Sequence, residues 1–354
     1  MNGLRRIWTV TELELRQRVV SRTFYILLCI FFLTLLATVG LIVTITFTAA
    51  SRSSDFRGDS GWTYGASVYL VLFLATIITP VLAGGTINAD RSAGTLATVQ
   101  VTAVRTPELL IGKFLAAWIS SLAFAVVAIP FLVTGALIAG PGGGAAVVPT
   151  LLLLVFELGF LSALGVGFSG LVRSPLFSIM FTYLTASVLT VGTLVGFAAG
   201  ATLFLQEKET EVRSYAVGAV QNGASVSTCE SSIEIMTYPR TDLVYPLLAL
   251  NPYVMIADVT PVSAHDDEAP SMLGGIKILV RQAQITPEMP DVIDYCTSDY
   301  GSDAPTTQEV LDRTVPTWFI GGALHTFLGA GLLALAGLRL RTPAGKLSAG
   351  TRVA

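Results

Sequence analysis

The chain has 354 residues, 53% of them apolar and 13% charged, with a formal net charge of −3. A charged share about half that of an ordinary soluble domain cannot cover a water-facing surface of this size, so lipid must solvate much of the chain. Three cysteines and two histidines, widely scattered, are too few for a zinc site or a disulfide-built scaffold, and no basic block points to nucleic acid.

In chain order, residues 1–22 alternate apolar and charged side chains at helical spacing. Leu4, Ile7, Trp8, Leu15 and Val19 can share one face with arginines beside it, which predicts an amphipathic helix lying in the membrane interface. The other reading is a disordered basic tail. Residues 23–51 hold no charge over 29 positions. That is longer than the 7–15 of a signal-peptide core and enough for a span, so a retained helix is expected.

Residues 60–89 form a second charge-free run. The loop "INADRSAGTLATVQVTAVRTPELLIGK" follows, with Asp90 or Ser92 placed to cap a short helix over 95–101 and Pro107 to open the next span. The alternative for this loop is a mere connector. The run 114–156 is too long for one helix, and "AGPGGG" at 139–144 breaks it, giving a hairpin of two spans that extends through Gly170. The fifth span, within 174–206, carries Gly192, Gly196 and Gly200 at four-residue spacing. Such a stripe suits close helix approach, either to a second subunit or to a neighbouring span.

Residues 205–315 are read as one outer segment with 17 acids against 6 bases. It includes the helix-like "TDLVYPLLALNPYVMIADV" and holds Cys229 and Cys296, the pair available for a disulfide; Cys29 lies in the first span as a small packing residue. Residues 316–338 make the sixth span and 339–354 a tail. The expected fold is therefore all-α and integral to the membrane, with six spans and both termini on one side. Placing the termini in the cytoplasm puts 13 of the 21 Lys and Arg residues inside, as short cytoplasmic loops require.

Two titratable residues fall at membrane depth. Glu157 sits in "LLLLVFELGFL", where an ionised acid costs roughly 2.5–3.5 kcal/mol on insertion scales. It is read either as a contact for a polar or cationic substrate or as a neutral acid bonded to a neighbouring helix. His325 in the sixth span is read as a packing histidine. No G-x-x-x-x-G-K-[ST], H-E-x-x-H or G-x-S-x-G occurs, so the chain is not expected to be an enzyme alone, or to hold a metal or cofactor of its own.

The start "ELELRQRVVSRTFYILL" and the stretch "DRSAGTLATVQVTAVRTPELLIGK", with six spans and an enlarged segment between the fifth and sixth, resemble a type-2 ABC exporter permease. The matching positions of the second stretch are Asp90, Arg91, Gly94, Thr95, Leu96, Thr102, Gly112 and Lys113. It departs from the family pattern at Ala97 and Ala103, where glutamate and proline are common. The resemblance implies an elbow helix at the N-terminus and a coupling helix near 88–103, using Asp90, Arg91, Ser92, Gly94, Thr95, Leu96 and Thr102. That helix would seat in a cytoplasmic ATPase present in two copies, which holds ATP and magnesium. A second permease, identical or paralogous, would complete the pump in the plasma membrane, with spans one and five at the dimer contact. The expected cargo is a small amphipathic or lipophilic compound, with Thr34, Thr38, Tyr69 and Tyr183 as cavity candidates. Sodium extrusion is an alternative, and a membrane sensor with an outer ligand domain is an alternative of another class.

Overall fold

The computed structural model describes residues 3–52, 60–94, 105–140, 143–215, 220–221, 224–225, 229–261, 271–296 and 305–340. Six of its helices are long and apolar enough to cross a membrane. The protein is a mostly helical, multi-pass membrane protein.

Helix α1 (Gly3–Val20) precedes the first span. Ile7, Val10, Thr11 and Glu14 turn toward the bundle, while Leu4, Trp8 and Val19 remain exposed on the adjoining flank. The apolar stripe is thus split, with Ile7 on the docking face beside the polar contacts of Thr11 and Glu14, and Leu4, Trp8 and Val19 facing away from it. Span 1 is α2 (Arg22–Ala50), buried along Phe31, Leu35 and Val39. Cys29 lies on the face of α2 that this chain leaves exposed. Span 2 is α3 (Ser60–Ala83), followed by the short α4 (Thr86–Ser92). Span 3, α5 (Thr106–Ile138), opens with Pro107 in its first turn. The turn to span 4, α6 (Gly143–Leu171), includes Gly140 at φ +85°, where only glycine is unstrained.

Span 5 is α7 (Pro175–Ser187), one π-helical turn (Val188–Gly192) and α8 (Thr193–Leu203). Strand β1 (Leu205–Tyr215) then leaves the bundle, with short strands β2 (Val220–Gln221) and β3 (Ala224–Ser225) before β4 (Cys229–Pro239) returns. β1 and β4 pair antiparallel without interruption from Leu205↔Pro239 to Tyr215↔Cys229. Strand β5 (Val292–Asp294) adds to β1 in parallel, giving the order β4-β1-β5.

Between β4 and β5 come α9 (Thr241–Val244), α10 (Pro246–Ala249), α11 (Pro252–Val259) and α12 (Met272–Gln282). After β5, α13 (Thr307–Asp312) leads into span 6, α14 (Thr317–Leu340). The most apolar stretch of span 4 is 72% buried, against 17% for span 1 and 22% for each of spans 5 and 6. Span 4 is the axis of the bundle, and spans 1, 5 and 6 are its most exposed members.

The segment 205–315 does not pack apart from the spans. Met255, Ile256 and Ala257 of α11 are fully buried in the central core beside Phe31, Leu35, Val68 and Leu154 of the spans. Tyr245 bonds to Thr317 at the start of span 6, Leu250 meets His325 eight residues further along, and Asp258 returns to Trp318. The chain therefore dips about 12 Å into the bundle and comes back, at 1.5 Å per helical residue. The physical reason is the charge-free run 243–257. Its 15 residues fall short of the roughly 20 needed to cross, yet they are too apolar to stay in water.

Candidate functional site

Glu157 is a buried acid at the middle of α6. Its Oε1 lies 3.0 Å from His325 Nδ1, and both side chains are buried. The imidazole stacks on Phe160 at 4.1 Å between ring centres. Its other nitrogen, Nε2, is 3.0 Å from the Leu250 carbonyl. A carbonyl only accepts, so Nε2 carries a proton and donates it. The contact between Nδ1 and Oε1 then needs a second proton, on either partner, since a bare carboxylate facing a bare ring nitrogen would repel. In either tautomer the pair is neutral overall, the form that hydrocarbon tolerates. A void of about 10 Å³ lies against Glu157, Thr76, Thr190 and Pro252, which is space for about one water molecule.

The dip in the chain meets the requirement that backbone at this depth be fully bonded. At its apex His325 satisfies the Leu250 carbonyl. Asn251 then caps α11, its Oδ1 accepting from the N–H groups of Tyr253 (2.9 Å) and Val254 (3.3 Å). Its Nδ2 donates to the Thr190 carbonyl at 2.7 Å and to Thr193 Oγ1 at 2.9 Å. Thr190 lies in the π turn, where the widened helix exposes a carbonyl for this bond. Gly321 on α14 leaves room for the inserted piece, because a Cβ there would stand 2.2 Å from the Ala249 carbonyl. At the upper end Asp258 accepts from Arg281 Nε at 2.6 Å and from the Trp318 N–H at 3.2 Å. Outside the spans, the Arg240 guanidinium grips Asp242 through two bonds and holds its carboxyl below the usual range.

A second cluster closes the end of the bundle that carries both α1 and the end of span 6. Lys113 Nζ, 1% exposed, binds Asp90 of α4 at 2.7 Å and Glu14 of α1. Gly112 lets α1 cross, since a Cβ would lie 2.8 Å from Val10. Ser169 Oγ accepts from the N–H groups of Ile87 and Asn88 at the start of α4. Arg91 donates to Asn88 Oδ1 at 2.7 Å and reaches the Val172 carbonyl. Leu340, Ala336, Ile87 and Leu110 pack beside them.

Several expected residues take other places. Asp90 and Ser92 lie in the last turn of α4, which is followed by Gly94 at φ +70°. Thr95, Leu96 and Thr102 lie outside the described residues, as does the body of the expected helix over 95–101. Asp90 and Arg91 turn into the bundle, whereas Ser92 and Gly94 are exposed. Gly196 and Gly200 face Leu247 and Val244 of the inserted segment, and Gly192 meets only its own helix at Val188. Tyr69 Oη donates to the Tyr253 carbonyl and Tyr183 Oη to that of Ile77, while Thr34 bonds its own helix at Ile30. These residues and Thr38 line neither the void at Glu157 nor the larger cavity. That cavity is an apolar groove of about 510 Å³ between spans 4 and 6, lined among others by Leu152, Phe156, Val259, Trp318 and Phe319.

Cys229 and Cys296 are joined in a disulfide that fastens β5 to the hairpin. The sequence reading missed the pairing of Glu157 with His325, and it missed Asn251. The Asn-Pro pair opening an apolar run was a legible capping signal; the partner at Thr190 was not, because a π turn leaves no mark in composition. Compared with known proteins, the chain matches no family model, and no curated protein is significantly similar to it.

Proposed function

We propose that this chain is the membrane-spanning subunit of an ATP-driven exporter that depends on a separate cytoplasmic ATPase. The reading rests on the resemblance of residues 90–113 to the loop by which such permeases engage their motor. One observation carries it. Asp90 and Lys113, the two ends of that stretch, close on each other with Glu14 at the end of the bundle that bears α1 and the end of span 6. The stretch between them is thereby tethered where a motor beneath the membrane would push. In this reading the tethered end faces the cytoplasm, as its arginines and lysines require, and the hairpin faces outward. Two permeases and two ATPases complete the pump, and nucleotide binding in the partner shifts the membrane halves between inward-open and outward-open populations.

A small amphipathic or lipophilic cargo fits better than sodium. Glu157, the one acid at mid-span, is engaged by His325, leaving few oxygens for a bare cation. The apolar groove between spans 4 and 6 has the volume of a site for a drug-sized compound. The test is to purify the full chain from its native membrane into lipid discs and assay the eluate for ATP hydrolysis. A co-purifying ATPase stimulated by lipophilic compounds is expected. An eluate without nucleotide hydrolysis, or one containing a kinase instead, contradicts the reading and favours a sensor.

A further inference from the structure

We propose that the outer edge of β4 is a docking edge for a cationic, strand-forming peptide. Among the described residues β4 is the end strand of its sheet, with β1 on one side and no strand on the other. Its eleven residues are mostly exposed, Ile233 at 76% and Ile235 at 65%. Proteins ordinarily blunt so long an edge with a lysine, a proline or a bulge. Within β4 there is no lysine, the one proline is the last residue, and the register with β1 has no bulge.

The ladder fixes which groups are open. Arg240 N–H donates to the Phe204 carbonyl, which makes that pair a hydrogen-bonded one, and bonding alternates along an antiparallel ladder. Glu230, Ser232, Glu234 and Met236 therefore bond inward to β1. Ser231, Ile233, Ile235 and Thr237 point their N–H and C=O groups to the open side. The Glu211 N–H, directed away from β4 to the Asp291 carbonyl, obeys the same alternation.

The two faces of the edge then specify the partner. Ile233 and Ile235 lie on one face, and Glu230 and Glu234 on the other. An added strand sets apolar side chains beside the isoleucines. It sets its alternate side chains beside the glutamates, in the non-hydrogen-bonded positions where side chains approach most closely. Lysine or arginine there meets opposite charge. The segment 205–315, with 17 acids and 6 bases, draws such a peptide from a distance. A second copy of the edge would bring the same acidic surface against itself, so an alternating basic and apolar strand is the better occupant.

The probe is a fluorescent nine-residue peptide alternating lysine and valine, titrated by anisotropy against the full chain in lipid discs at low salt. Two controls are a peptide of the same composition with all lysines in one block, and one alternating glutamate and valine. Saturable binding of the alternating cationic probe alone is expected. Glu234→Lys should weaken it at least tenfold and transfer preference to the glutamate peptide. Thr237→Pro removes an outward N–H without breaking an inward bond, and it should also weaken binding at least tenfold while the Cys229–Cys296 disulfide still forms. Equal binding of the blocked and alternating lysine peptides would reduce the effect to bulk charge and overturn the proposal. Indifference to both substitutions would overturn it too, as would capture of the edge by a second copy, detected by Ser231→Cys cross-linking between chains.

Discussion

Lys113 and His325 are both buried bases facing carboxylates, yet the chain treats them differently. Lys113 lies at the end of the bundle, where Glu14 and Asp90 keep 18% and 27% of their side chains exposed. Two acids from two other elements converge on one ammonium, and water still reaches the carboxylates. His325 and Glu157 lie at mid-span with 0% and 2% exposure, and the protons they hold leave the pair neutral. Depth decides the solution. Where solvent is near, charge is kept and used to bind α1 and α4 to span 3. Where it is far, charge is cancelled within the pair, and the ring's remaining N–H secures the inserted segment.

Removing the lysine should break the first arrangement most severely. Lys113→Ala strands two carboxylates against each other, and losing one member of a buried ion cluster costs about 3–5 kcal/mol. The expected result is a lower unfolding temperature in detergent and protease cleavage near α1. A variant as stable as the parent would show the ammonium to be solvated. His325→Leu strands both the Leu250 carbonyl and the Glu157 carboxyl, at about 1–3 kcal/mol for each neutral group. Hydrogen exchange should rise over residues 245–258 while the Lys113 end stays protected.

Glu157→Gln sharpens the comparison further. The amide can donate to Nδ1 as a protonated acid would, so stability should change by no more than about 1 kcal/mol. A loss equal to that of His325→Leu would mean that the ionised pair is required. The smallest effect belongs to a third, more exposed pair at the base of the hairpin. The Asp242 carboxyl is held below its ordinary value by Arg240, so its contribution is complete above an ordinary aspartate pKa of about 4. It is lost as pH falls through the lowered folded value. Acid titration followed by exchange at the base of β4 should show local loosening there, absent in Asp242→Asn.

The spans were legible because each is a long charge-free run, and the break before α6 because glycine and proline cluster there. The dip of α10 and α11 was harder to read. Its 15-residue run was visible, but seating it required His325, Thr190 and Gly321, which lie 61 to 75 positions from its apex in sequence. Asp90 and Lys113 were singled out by their resemblance to a family pattern. Their pairing with each other and with Glu14 depends on α1 crossing at Gly112, which no local periodicity encodes. The hairpin was not foreseen within the segment 205–315, because the polar residues alternating over β1 carry no apolar face.

The most direct test of the central claim is a cross-link from the tethered stretch in native membranes. Ser92→Cys, an exposed position beside Gly94, would carry a photoactivated maleimide. The account predicts cross-linking to a nucleotide-hydrolysing protein, blocked when that protein is absent, and no labelling of intact cells by an impermeant reagent. Labelling from outside the cell, or a cross-linked partner that hydrolyses no nucleotide, would contradict it.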